Sequence, residues 1–160
     1  MTISAQARSK GPPVSEMCPA CAAKAKPRSP EQHRRFFALM KATFMHWPET
    51  HERQFASKDE MRKWLQMKAG WREVGAQIPI AGIPKDKALF LAKAAIQAAE
   101  SFAEPVFYKD NLVIFKPKSI AFAKMGPAEF NALNDAVSQV IEMEIGIPAD
   151  RLLKETESAA

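Results

Sequence analysis

The chain has 160 residues, 47% hydrophobic and 26% charged, with a net charge of +5 and a sequence pI near 9.3. That balance supplies a buried core and excludes a disordered polar chain. No apolar run approaches the ~18 residues of a membrane span, and no charged-then-apolar secretory signal opens the chain, so a soluble, cytoplasmic protein is expected.

The basic excess is uneven. Lys24 to Arg72 holds twelve Lys and Arg against five Asp and Glu, a local balance of +7, and the remainder is slightly acidic. An anionic partner for the first half is one reading, and a solvated basic face without a partner is the other.

Residues 1–28 are rich in Ser, Pro, Ala and Lys without apolar periodicity, and are expected to form a flexible basic arm. Cys18-Pro-Ala-Cys21 within it has the spacing of half a zinc site, because two thiolates two residues apart can grip one metal. The chain has no second Cys pair, and His33, His46 and His51 lack zinc-finger spacing. Cys18 and Cys21 are therefore the candidate metal ligands, with zinc as the candidate cofactor. An unmetallated pair is the alternative.

The first predicted helix opens at Ser29, an N-cap followed by Pro30 and by Gln32 at capping-box spacing. Phe36, Phe37, Met40 and Phe44 recur on its apolar face, and Trp47-Pro48 ends it. Ser57 and Glu60 form a second capping box for a helix that stops at Gly70, with Met61, Trp64, Leu65 and Lys68 on one face and Arg62 and Lys63 on the other.

Residues 71–80 predict a short strand, and Pro84 opens an alanine-rich helix reaching Phe102. Alternation over 106–125 predicts a small antiparallel sheet with a hairpin turn at Lys109-Asp110-Asn111. Pro127 starts the last long helix, Gly146 ends it, and a short tail helix follows Pro148. The expected fold is α+β, helices packed on a small antiparallel sheet: a single domain over 29–155, with a flexible N-terminal arm and a disordered tail at 156–160.

No Gly-rich phosphate loop, serine elbow or nucleotide fingerprint occurs, so an enzyme is not supported. A metal-dependent nuclease built on His33, His46, His51 or the Cys pair is the enzyme alternative. The basic residues are more telling, because aromatics are interleaved with them. Cations hold a single strand's backbone while exposed rings stack on its bases. Arg34, Arg35, Lys41, Arg53, Arg62, Lys63 and Arg72 are the candidate DNA-binding cations, with Trp47 and Trp71 as candidate stacking rings. Trp64 continues the Met61–Leu65 stripe and is assigned to the core.

The stretch "SPEQHRRFFALMKATF" resembles a family of uncharacterised phage proteins with an "HRRFFALL"-type helix. A later "SISFASM…EF" segment of those proteins is similar to "KSIAFAKMGPAEF" here, Lys118 to Phe130. More remotely, residues 28–150 resemble the NinB (Orf) recombination proteins of lambdoid phages. Their "S-x-D-Q-N-R" helix start looks like Ser29 to Arg34, and their later segment and helix-end glycine look like Ser119, Met125, Glu129-Phe130 and Gly146. His33 stands in place of the asparagine, and the Cys-bearing arm and the 84–102 helix are departures.

The resemblance implies a phage or prophage accessory protein of homologous recombination in the bacterial host cytoplasm. It implies a homodimer that binds single-stranded DNA and the host single-strand-binding protein, and it adds Gln32 and Ser119, beside Arg34, to the DNA-binding set. A phage protein that binds and modulates a host protein remains the interaction alternative.

Overall fold

The computed structural model describes residues 29–158, apart from residues 100 and 122. The protein is α+β, with five helices and a three-stranded antiparallel sheet among the described residues. The proposed arm, with Cys18 and Cys21, lies outside them.

Helix α1, Pro30–Met45, starts where its sequence dictates. The Gln32 N–H donates to Ser29 Oγ at 3.1 Å, and the Ser29 N–H donates to Gln32 Oε1 at 3.2 Å. Two of the donors that every helix start leaves unpaired are thereby satisfied. Phe36, Leu39, Met40, Ala42 and Thr43 are buried, and the Thr43 hydroxyl donates back to the Leu39 carbonyl at 2.8 Å. Helix α2, Lys58–Lys68, is capped by Ser57, whose hydroxyl accepts from the Glu60 N–H. The Glu60 carboxylate reaches back to the Ala56 N–H rather than to Ser57.

Strand β1 is Arg72–Pro79, helix α3 is Lys85–Ala98, and strands β2 and β3 are Glu104–Tyr108 and Asn111–Pro117. The order is β1-β3-β2, with a bulge between Val74 and Ala76. The described residues of 118–125, expected to prolong the alternation, leave the sheet after Pro117, and 123–124 lie in a turn instead. Helix α4 runs Pro127–Ile145 and ends on Gly146, whose φ of 71° is the left-handed stop. Helix α5, Ala149–Ser158, continues past residue 155, where a disordered tail was expected to start.

Two apolar clusters hold these elements. The larger joins α1, α2, α4 and α5 through residues such as Phe36, Met40, Met61, Leu65, Phe130, Leu133, Ile141 and Leu152. The smaller seats α3 on one face of the sheet through Ile80, Ala88, Ala92 and Leu112, with Phe107 beside them. Gln66 ties α2 to the sheet. Its buried side-chain amide donates to the Lys118 carbonyl just beyond β3, and its oxygen accepts from Arg62 at 3.0 Å.

Candidate nucleic-acid interface

The buried stripe of α1 dictates what its other side presents. Arg34, Ala38, Lys41 and Met45 follow one another at helical spacing and all are exposed. Beside them α1 and α5 form an open groove of about 760 Å³, lined by Glu31, Arg34, Arg35, Ala38, Asp150, Leu153 and Lys154. Arg35 is paired with Asp150 at 3.0 Å across this groove. Arg34 and Lys41 have no ion-pair partner among the described residues and are both exposed to solvent. Lys154 and Asp150 come from α5, about 115 residues away in the chain, and no local pattern links them to α1.

The remaining sequence-predicted residues are distributed differently. Trp47 is half-buried and its indole N–H donates to the Arg53 carbonyl at 2.9 Å. Its ring lies 4.6 Å from His51, 5.1 Å from Phe55 and 5.9 Å from Trp64, centroid to centroid. Trp47 is therefore part of an aromatic box on the edge of the large cluster. Arg53 closes the box, with its guanidinium over the rings of Phe55, Trp64 and Phe102 and its charge paired with Glu104 at 3.5 Å.

His51 is held at both ring nitrogens. The Arg53 N–H donates to Nδ1 at 3.0 Å, and Nε2 lies 3.0 Å from a Glu144 carboxylate oxygen. Nδ1 also lies 3.2 Å from the Arg53 carbonyl, so both ring nitrogens are engaged by protein groups. Glu144 also pairs with Lys68, whose ammonium sits 4.6 Å from the Trp64 ring. Burial pushes the Glu144 carboxyl up, but hydrogen bonds from Lys68 and His51 outweigh it and hold the group below the usual glutamate range.

Arg62 and Lys63 are both taken by Asp59, at 2.8 Å each. The Arg62 side chain is only 12% exposed and serves to anchor Gln66. Burial raises Asp59, and its bonds to Lys63 and Arg62 lower it further than that. Trp71 is half-buried against the large cluster, with the Lys118 ammonium 5.5 Å from its ring. Arg72 lies on the sheet, 4.4 Å from the Phe115 ring centroid. Gln32, besides capping α1, donates to Asn131 on α4 at 3.0 Å. Ser119 is exposed and lines a small groove with Lys118, Lys124 and Glu129.

The structure thus brings Arg34, Arg35 and Lys41 onto one surface. Arg53, Arg62, Lys63, Trp47 and Trp71 are engaged in internal contacts, and Gln32 and Ser119 lie apart from the box. His33 lies against Phe37 at a tilt and stacks on Phe130, whereas His46 is exposed at the end of α1. Among the described residues no three His, Cys, Asp or Glu side chains are grouped to hold a metal ion. No described helix is long and apolar enough to cross a membrane. No family model, curated protein or solved structure matches the chain.

Proposed function

We propose that the protein is a non-enzymatic phage or prophage accessory of homologous recombination, one that binds single-stranded DNA through the outer stripe of α1 and the α1–α5 groove. The observation that carries this reading is the unpaired state of Arg34 and Lys41 on a helix anchored by Phe36, Leu39 and Met40. Charges held on a rigid element lose little freedom on binding, and contacts to phosphate position a strand regardless of its bases. The motif likeness to NinB proteins supports the same reading. It extends it to a homodimer working beside the host single-strand-binding protein in the bacterial cytoplasm.

A fluorescence-anisotropy titration against a labelled single-stranded oligonucleotide at several salt concentrations, with a duplex control, tests this. Single strand should bind more tightly than duplex, and binding should weaken steeply with salt. The double variant Arg34→Ala/Lys41→Ala should lower the slope of log affinity against log salt by about 1.4, at roughly 0.7 per lost contact. Unchanged affinity and slope would remove this surface from the binding site. Cleavage of the oligonucleotide that a chelator abolishes would favour the nuclease instead.

One observation favours a second reading, contact with a protein. Helix α3 buries Ala88 and Ala92 but turns Phe90, 71% exposed, and Leu91 to solvent. A second apolar face on a helix calls for something to cover it.

A further inference from the structure

The strand register divides the sheet into two unlike faces. Leu112 is paired with Ile78 and Phe107, and this face is the one that α3 covers. On the other face Phe115 lies beside Val74 and Glu104, Val113 beside Gln77 and Val106, and Asn111 beside Tyr108. Val74 is 56% exposed and Tyr108 61%, with Val106 also exposed, whereas Val113 between them is buried and Phe115 half-buried, so this second face is open to solvent along β1 and at the β2–β3 turn. Three features mark it as more than an uncovered apolar surface.

The first is that each end carries a cation set on a ring. Arg72 sits 4.4 Å from the Phe115 centroid, and Lys109 sits 5.5 Å from that of Tyr108. Neither cation has a carboxylate partner among the described residues. The single carboxylate on this face, Glu104, is already held by Arg53. Its unspent charge is therefore positive.

The second is the backbone turn at Lys109. Lys109 has a φ of 52°, and no other described non-glycine residue is in the left-handed region. A glycine would take that turn position without the steric cost a Cβ brings. Lys109 opens the two-residue β2–β3 hairpin turn, where a positive φ is usual, and that turn holds its ammonium beside the Tyr108 ring.

The third is the concave end. Beside Arg72 the face runs into a hollow of about 380 Å³ whose walls include Trp64, Lys68 and Glu104. From Pro117 to Asn111 the platform is six residue steps long, about 20 Å.

We infer that the exposed positions of this face, Arg72 and Val74 on β1 and Val106, Tyr108 and Lys109 at the hairpin, form the site where unpaired bases of a single strand stack. This rests on the single-stranded DNA reading proposed above, and it moves the stacking role from Trp47 and Trp71 to Tyr108, with the half-buried Phe115 holding Arg72 in place. Rings present π-faces that any base matches, while the adjacent Arg and Lys meet the phosphates. An open sheet bearing rings is a recurrent platform for unpaired bases.

The test uses the full chain and a labelled twenty-nucleotide thymine oligomer, with three exposed-site variants: Tyr108→Ala, Arg72→Ala and Lys109→Gly. Tyr108→Ala should weaken binding by about five- to 150-fold, the range of one lost stacked base. Lys109→Gly should weaken binding while leaving the fold as stable as before or more so, an outcome that a purely structural lysine does not produce. If the parent protein binds and all three variants bind as tightly, the inference fails and the α1 reading stands. If the parent binds no oligomer at low salt, both fail together. If the variants change sedimentation from dimer to monomer with oligomer affinity intact, the face is a contact between copies and the inference is overturned.

Discussion

Glu144 shows how one side chain can join distant parts of the chain. It sits 93 residues from His51 in sequence, yet it accepts from His51 and pairs with Lys68, and its side chain is 15% exposed. Its carboxyl is held below the ordinary value, so the folded chain binds that proton less tightly than the unfolded chain does. The stabilisation is therefore complete above the unfolded value of about 4.3 and is lost as pH falls through the lower folded value. Glu144→Gln should destabilise the protein at neutral pH, and the gap to the parent should shrink on acidification below about pH 4. Urea midpoints at pH 7, 4 and 3 measure this; a gap independent of pH would show that the carboxylate's charge does not matter. None of this was legible in the sequence, where Glu144 is one acid in a helix. Trp47 and Trp71 were similarly ambiguous. A ring at the end of an element can stack on a ligand or on its own core, and the residues that decide it, His51, Phe55 and Trp64 for Trp47, are brought together only by folding.

At the scale of elements, local chemistry was readable and long-range pairing was not. The Ser29 cap, the Ser57 cap, the Lys109–Asp110 turn and the Gly146 stop each depend on residues within four positions, and each is in place. The placing of β3 between β1 and β2 depends on a connection from Pro79 to Asn111, which no short-range pattern encodes. Helix α5 extends past residue 155, where composition alone suggested a loose tail, and Arg151 and Glu155 pair at 3.0 Å one turn apart along it. The basic stripe was half-legible. Helical spacing places Arg34 and Lys41 together, but the removal of Arg62 and Lys63 by Asp59 needs the side-chain geometry. The start of α1 gives a direct prediction. Ser29→Ala removes the hydroxyl that accepts from Gln32 and should cost about 1 kcal/mol in urea unfolding. Because the cap fixes the helix start one turn before Arg34, the same variant should weaken oligonucleotide binding less than Arg34→Ala does. A larger binding loss in Ser29→Ala would mean that the hydroxyl itself meets the ligand.

Across the whole molecule the two apolar clusters are unequal, and this sets where the protein opens first. The large cluster holds thirteen buried residues, including two phenylalanines and several leucines and methionines. The small one holds four, two of them alanines, so α3 is retained on the sheet by little buried area. Local stability follows buried apolar contact, so α3 and β2 should open at a lower free energy than α1, α2 and α4. Hydrogen exchange read peptide by peptide should show α3 amides exchanging well before those of α1 and α4, with a gap of at least tenfold. The outer face of α3 makes this measurement informative about partners as well. Among the described residues nothing covers Phe90 and Leu91. A homodimer built on α3 would make its protection rise with protein concentration, and Phe90→Glu would remove that dependence. A dimer built elsewhere would leave α3 exchanging fast at every concentration, and the exposed phenylalanine would then point to a partner of a different kind.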